Sequence, residues 1–150
     1  MRGPITIFLL TILCIGASAR PGAAQEEEIH AAMVESLAAW SDGDFQRLGT
    51  FFAEQARGYM LGGTVLITGF NPEALEAAVA AGFSFAIEPR DIDIMMVGET
   101  VAVAVAMVEG TITLPGGELQ EGPWQYSETR ILEEGRWKVV QYHFSPMATG

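Results

Sequence analysis

From Phe83 to Ser145 the hydrophobic pattern repeats every two residues, and this constrains the fold more than any other feature of the chain. Residues 83–97, 100–114, 119–132 and 137–145 read as four long strands. The turns between them are Gly98-Glu99, Pro115-Gly116-Gly117 and Glu134-Gly135. Connections this short join only antiparallel neighbours, so the four strands form a meander. Residues 101–108, Val-Ala-Val-Ala-Val-Ala-Met-Val, are apolar on both faces and mark a central strand. The segment is too short and too β-branched for a membrane helix, which needs about 20 apolar residues.

The preceding residues carry a helical period. Glu26, Glu27 and Glu28 open a first helix, where carboxylates complement the positive end of the helix dipole. Ile29, Met33, Leu37 and Trp40 form its buried stripe, and Ser41-Asp42-Gly43-Asp44 breaks it. Asp44 caps a second helix with Phe45, Leu48, Phe51 and Phe52 as its apolar face. Gly62-Gly63 then makes a tight hairpin turn between residues 57–61 and 64–68. Asn71-Pro72 starts a third helix that buries Leu75 and Val79 and ends at Gly82. Helices followed by an antiparallel meander make one α+β domain, with the helices on one face of a curved sheet.

Residues 1–24 stand outside that domain. Arg2 precedes an uncharged apolar run over residues 5–17, and Ala17-Ser18-Ala19 and Gly22-Ala23-Ala24 are alternative cleavage signals. This is the layout of a secretory signal peptide, so the chain is expected to be exported, periplasmic or secreted, with residues 25–150 as the folded part. An uncleaved anchor is the alternative. A lipid-attached form is disfavoured because Leu13, directly before Cys14, is not small. Cleavage after Ala24 removes Arg2, Arg20 and the lone Cys14, and shifts the net charge from −11 to −13. Such a charge argues against nucleic acid and against an anionic membrane surface as partners. No phosphate loop, dinucleotide fingerprint or paired metal motif occurs, so the sequence implies no cofactor and no metal.

Candidate site residues come from pairing the last hairpin. A two-residue turn at Glu134-Gly135 sets Leu132 opposite Trp137, Arg130 opposite Val139, Glu128 opposite Gln141 and Tyr126 opposite His143. On that register Trp124, Tyr126, Glu128, Arg130, Gln141, His143 and Ser145 share one face. Aromatic walls with a few convergent polar groups suit a small apolar or amphipathic molecule. Arg130 would pair either an anionic group of a ligand or Glu128, and His143 is either an acid–base group or a hydrogen-bonded structural residue. In the preceding hairpin, a two-residue Gly98-Glu99 turn sets Met96 opposite Val101, Ile94 opposite Val103 and Ile92 opposite Val105. Asp91, Asp93 and Met95 then share a face with Ala102, Ala104 and Ala106, and Asp93 is either a second candidate base or, like Asp91, a solvent-facing strand residue, the reading the sequence favours.

The strand Gly135-Arg136-Trp137-Lys138-Val139-Val140-Gln141-Tyr142-His143-Phe144-Ser145 resembles the C-terminal signature of SnoaL-like domains. These belong to the nuclear transport factor 2-like, or ketosteroid isomerase-like, superfamily. Trp40, Gly43-Asp44-Phe45 and Phe51-Phe52-Ala53 are similar to the family's opening helices. The resemblance implies a cone-shaped sheet closed by helices, an apolar pocket in the cone, and a homodimer through the sheet. It also implies a place for Tyr59 at the pocket mouth. Members include isomerases, cyclases, dehydratases and non-catalytic binding modules, so the fold does not choose among them. The sequence supports a small-molecule-binding domain first. A proton-transfer enzyme using His143 or Asp93, and a dimerisation module like the kinase II association domain, are the alternatives.

Overall fold

The computed structural model describes residues 22–61 and 63–147. Most of the expected signal peptide and Gly62 of the expected turn lie outside the described residues. Among the described residues three helices and seven strands follow in the order α1 (Ala23–Asp42), α2 (Phe45–Gly49), β1 (Phe52–Met60), β2 (Ile67–Thr68), α3 (Pro72–Ala80), β3 (Ser84–Met96), β4 (Val101–Thr113), β5 (Leu119–Glu121), β6 (Trp124–Glu133) and β7 (Arg136–Pro146). The strands make one curved open sheet, ordered β2-β1-β7-β6-β4-β3, with β5 on the far part of β4.

Helix α1 lies across the inner face of the sheet, chiefly against β3. Its buried stripe is the expected one: Ile29, Met33, Leu37 and Trp40, joined by Ser36 and Ala39. Gly43 ends it in the left-handed region, where a residue without Cβ carries no penalty. Ser41 fastens the helix to the sheet. Its hydroxyl donates to the Ile87 carbonyl and accepts from the Ile87 N–H, both at 2.9 Å. Asp44 and Asn71 cap α2 and α3 by accepting from the Arg47 and Ala74 backbone N–H groups.

Several expectations are corrected. Helix α2 stops at Gly49, and Phe52 begins a strand that pairs in parallel with β7, so the sheet is not antiparallel throughout. β1 and β2 pair at Arg57↔Thr68 and Gly58↔Ile67, so the connection between these strands is longer than the expected two residues. Helix α3 buries no residue fully: it packs against α2, with Leu75 partly covered and Val79 exposed. The expected strand over residues 119–132 is two strands separated by Gly122-Pro123, since proline has no N–H for the ladder. The meander β3-β4-β6-β7 itself forms as expected.

Gly110 shows how tightly β3 and β4 approach. It sits at φ +121°, and a Cβ there would collide with the Ala86 carbonyl. Gly110→Ala is therefore expected to lower stability by about 2 kcal/mol or more, measured as a shift in the urea midpoint. An unchanged midpoint would show that the approach relaxes freely.

Candidate functional site

Strand β6 supplies the polar centre of the interior. Trp124, Tyr126, Glu128 and Arg130 alternate along it and all point inward and are buried. Glu128 and Arg130 are inaccessible, and the Arg130 Nε donates to Glu128 Oε1 at 2.5 Å. The Tyr126 hydroxyl donates to the other carboxylate oxygen at 2.7 Å. Arg130 Nη1 donates to the Trp137 carbonyl at 3.1 Å, and Nη2 to the Ser36 hydroxyl at 3.4 Å. The Ser36 hydroxyl in turn donates a hydrogen bond to the Met33 carbonyl at 2.9 Å. Of the two sequence-level readings of Arg130, the geometry is that of the ion pair with Glu128. Both carboxylate oxygens and three guanidinium N–H groups are already engaged. Burial holds the Tyr126 hydroxyl well above the ordinary tyrosine range, and the charge of Glu128 adds to this against the opposing effect of Arg130.

Beside this network lies an aromatic cleft walled by Trp40, Phe52, Phe85, Tyr126, Tyr142 and Phe144. The rings fill it: Trp40 meets Phe85 at 5.0 Å between centroids, Phe52 meets Tyr142 at 5.5 Å, and Tyr126 meets Phe144 at 6.0 Å. About 20 Å³ remains open, room for roughly one water. Burial also raises the Tyr142 hydroxyl. A larger groove of about 440 Å³ is lined by the middle of α1, by Arg47 on α2 and by the start of β7; Glu28, Glu35, Arg47, Arg136 and Trp137 border it, and it shares no residue with the cleft.

His143 and Gln141 are not in this interior. The register of β6 and β7 is the expected one from Glu133↔Arg136 to Arg130↔Val139, and then Val140 is left over as a bulge. Beyond it Thr129 pairs with Gln141, Ser127 with His143 and Gln125 with Ser145. One extra residue moves Gln141, His143 and Ser145 to the outer face and brings Tyr142 and Phe144 inside. Tyr59 follows His143 outward as its parallel partner, with ring centroids 6.2 Å apart.

The same slip occurs at the other hairpin. Gly98-Glu99-Thr100 forms a three-residue loop, closed by the Val97 N–H donating to the Val101 carbonyl, so Ile94 pairs with Ala104 and Asp93 with Val105. Asp93 lies outside with Val105, not among the alanines. A second bulge sits between Arg90 and Asp93, where Asp91 takes φ +50°. The outer face thus gathers Asp91, Val105, Met107, Gln125, Ser127 and His143 around a shallow depression of about 350 Å³. The sequence reading missed Ser36 and the Trp137 carbonyl as partners of Arg130. It also missed the outward role of the valines of β4, whose alternation with alanine carried the signal.

Two outcomes follow. Arg130→Met, which leaves Glu128 buried without its cation, is expected to cost about 3–5 kcal/mol, and Glu128→Leu added to it to recover part of the loss. Equal melting of the single variant and the parent would refute the network's role. The raised Tyr126 hydroxyl favours folding while the unfolded tyrosine is still protonated. Stability should therefore fall as pH rises above about 10, and Tyr126→Phe should flatten that alkaline limb.

Residues 29–149 match the family described as SnoaL-like domain. No protein of curated function matches the sequence. Among solved structures, the chain is similar to a ketosteroid isomerase-like protein from Erwinia carotovora atroseptica SCRI1043, with a TM-score of 0.70 and 18% identity over 82% of this chain and 96% of that one. It is similar to the association domain of C. elegans CaMKII, with a TM-score of 0.66 and 20% identity over 81% and 95% of the two chains. A Novosphingobium aromaticivorans protein provisionally assigned as a scytalone dehydratase gives a TM-score of 0.67 and 19% identity over 85% and 87%. At these identities the likeness is one of fold. The chain belongs to the SnoaL-like domain family, with a nuclear transport factor 2-like fold.

Proposed function

We propose that this domain is a non-catalytic association module that forms a homodimer through the outer face of its sheet. One observation carries the reading. In a chain of net charge −11, the outward residues at the middle of β4, β6 and β7 include no aspartate, glutamate, lysine or arginine. They are Val103, Val105 and Met107 on β4; Gln125, Ser127 and Thr129 on β6; and Gln141 and His143 on β7. Met95 adds to them from β3 and is 58% exposed. Depletion of charge with enrichment in methionine is the composition of an interface core. Support also comes from the interior, where the cleft is nearly full and the buried ion pair is already satisfied. The CaMKII association domain has the same fold.

A second reading has its own observation. The cleft walled by Trp40, Phe52, Phe85 and Tyr142 is apolar and aromatic, the kind of lining that suits a small flat molecule. Proton transfer has less support, since both candidate bases, His143 and Asp93, face away from the cleft. We also propose that the chain is exported, on the strength of residues 1–24. Among the described residues no helix is long and apolar enough to cross a membrane.

Sedimentation of the purified chain is expected to show a dimer, and Val105→Arg a monomer that still melts cooperatively, at a lower temperature that no longer depends on protein concentration. A monomeric parent at high micromolar concentration overturns the association reading. Quenching of tryptophan fluorescence by naphthalene, abolished by Phe85→Arg in a folded variant, would establish the cleft as a binding site; no quenching removes that reading. The first residue of the exported protein is expected to be Arg20 or Gln25, and an intact Met1 would favour an anchor.

A further inference from the structure

The groove between α1, α2 and the start of β7 holds polar chemistry that the fold leaves unspent. Its volume of about 440 Å³ lies within the range of small-molecule sites. Helix α1 supplies one wall with Glu28, Ala32 and Glu35, which the helical repeat places on a single face. Arg47 on α2 and Arg136 and Trp137 on β7 supply the other walls, together with Phe51. The acidic residues of the groove thus come from α1 and the basic ones from α2 and β7. Among the described residues Glu28 and Arg136 make no ion pair. Arg47 reaches Glu35 and Asp42 only at 3.8 and 4.0 Å, too far for a hydrogen bond. Trp137 adds an independent observation. It is 5% exposed, and its indole N–H is the one buried side-chain polar group among the described residues without a hydrogen-bond partner. A buried donor left unpaired has lost its bond to water and gained nothing in return, so such groups are rare in native proteins.

An indole N–H can only donate, so the partner it lacks is an acceptor. With two guanidinium groups in the same groove, an anionic oxygen is the strongest acceptor available, and a carboxylate can take several such donors at once. The carboxylates of α1 repel a bare anion, unless the same molecule also carries a cation for Glu28. An ammonium group beside the carboxylate meets both demands, and Ala32 and Phe51 offer apolar surface to a side chain. We propose that this groove binds a small zwitterion, an α-amino acid with an apolar side chain. Its carboxylate accepts from the Trp137 N–H and faces Arg47 and Arg136, and its ammonium group faces Glu28. Because the N–H is shielded from water, binding includes a turn of the ring toward the acceptor, driven by the hydrogen bond it gains. The groove shares no residue with the aromatic cleft or with the depression on the outer face, so the site stands apart from both readings of function given above.

The test titrates L-phenylalanine into the isotope-labelled chain and reads the indole N–H peaks of its three tryptophans by proton–nitrogen correlation NMR. The peak missing from Trp137→Phe identifies that of Trp137. On titration this peak is expected to move downfield and saturate in the millimolar range, while those of Trp40 and Trp124 stay in place. Hydrocinnamate, which lacks the ammonium group, and phenethylamine, which lacks the carboxylate, are each expected to bind about tenfold more weakly. Arg136→Gln and Glu28→Gln, both at exposed positions, should melt like the parent and each raise the dissociation constant for phenylalanine about tenfold. If phenylalanine moves no indole peak, or moves that of Trp40 instead, the groove is not the site. If hydrocinnamate binds as tightly as phenylalanine, or if the two variants bind like the parent, the zwitterion site is refuted. None of these outcomes turns on whether the chain is a monomer or a dimer.

Discussion

A charge taken out of water must find its partner inside the protein, and Arg130 does so in a way that ties three elements together. Its guanidinium reaches Glu128 on its own strand, the Trp137 carbonyl on β7 and Ser36 on α1. Each contact is a buried hydrogen bond, so a shift of the helix or of either strand breaks one or more of them. The apolar stripe of α1 supplies the driving force for packing, but apolar surfaces slide over one another at little cost. The hydrogen-bonded network fixes where the sliding stops. The Ser41 clamp on Ile87 does the same at the other end of the helix.

That arrangement also bears on function. A polar group that serves a ligand must have a lone pair or a proton to spare. Here the interior carboxylate has both oxygens engaged, and the tyrosine beside it donates to that carboxylate. What the interior offers a guest is aromatic surface, and little of that is open. One buried donor among the described residues, the Trp137 indole N–H, has no partner; the other unpartnered surface of the domain is on its outer face, in Met95, Val103, Val105 and Met107.

Much of the fold was legible because it follows from periodicity. The stripe from Ile29 to Trp40, the caps Asp44 and Asn71, and the meander all obey local rules that a side chain expresses within a few residues of itself. The site was legible only as far as the pleat was continuous. Tyr126, Glu128 and Arg130 share a strand without interruption, and their common face was correctly read. His143 and Asp93 were misplaced for one reason: each lies beyond a single extra residue, Val140 in one hairpin and Thr100 in the other. Neither residue has a side chain that announces irregularity. Valine is a good strand former, so its place in a bulge is settled by packing of Tyr142 and Phe144 into the aromatic core. Information of that kind is tertiary and leaves no mark on one strand alone.

The Val140 bulge has a consequence for how such domains diverge. With the pleat restored, Gln141 and His143 would turn toward Tyr126 and Glu128, and two aromatic side chains would leave the interior. Loss of one residue thus trades a filled, aromatic interior for one holding an imidazole, a carboxamide and a carboxylate, on the same backbone framework. Substitutions adjust a scaffold of this kind a side chain at a time. Insertions and deletions within its strands invert whole faces, and they are the steps by which a lineage of binders and a lineage of enzymes can descend from one another.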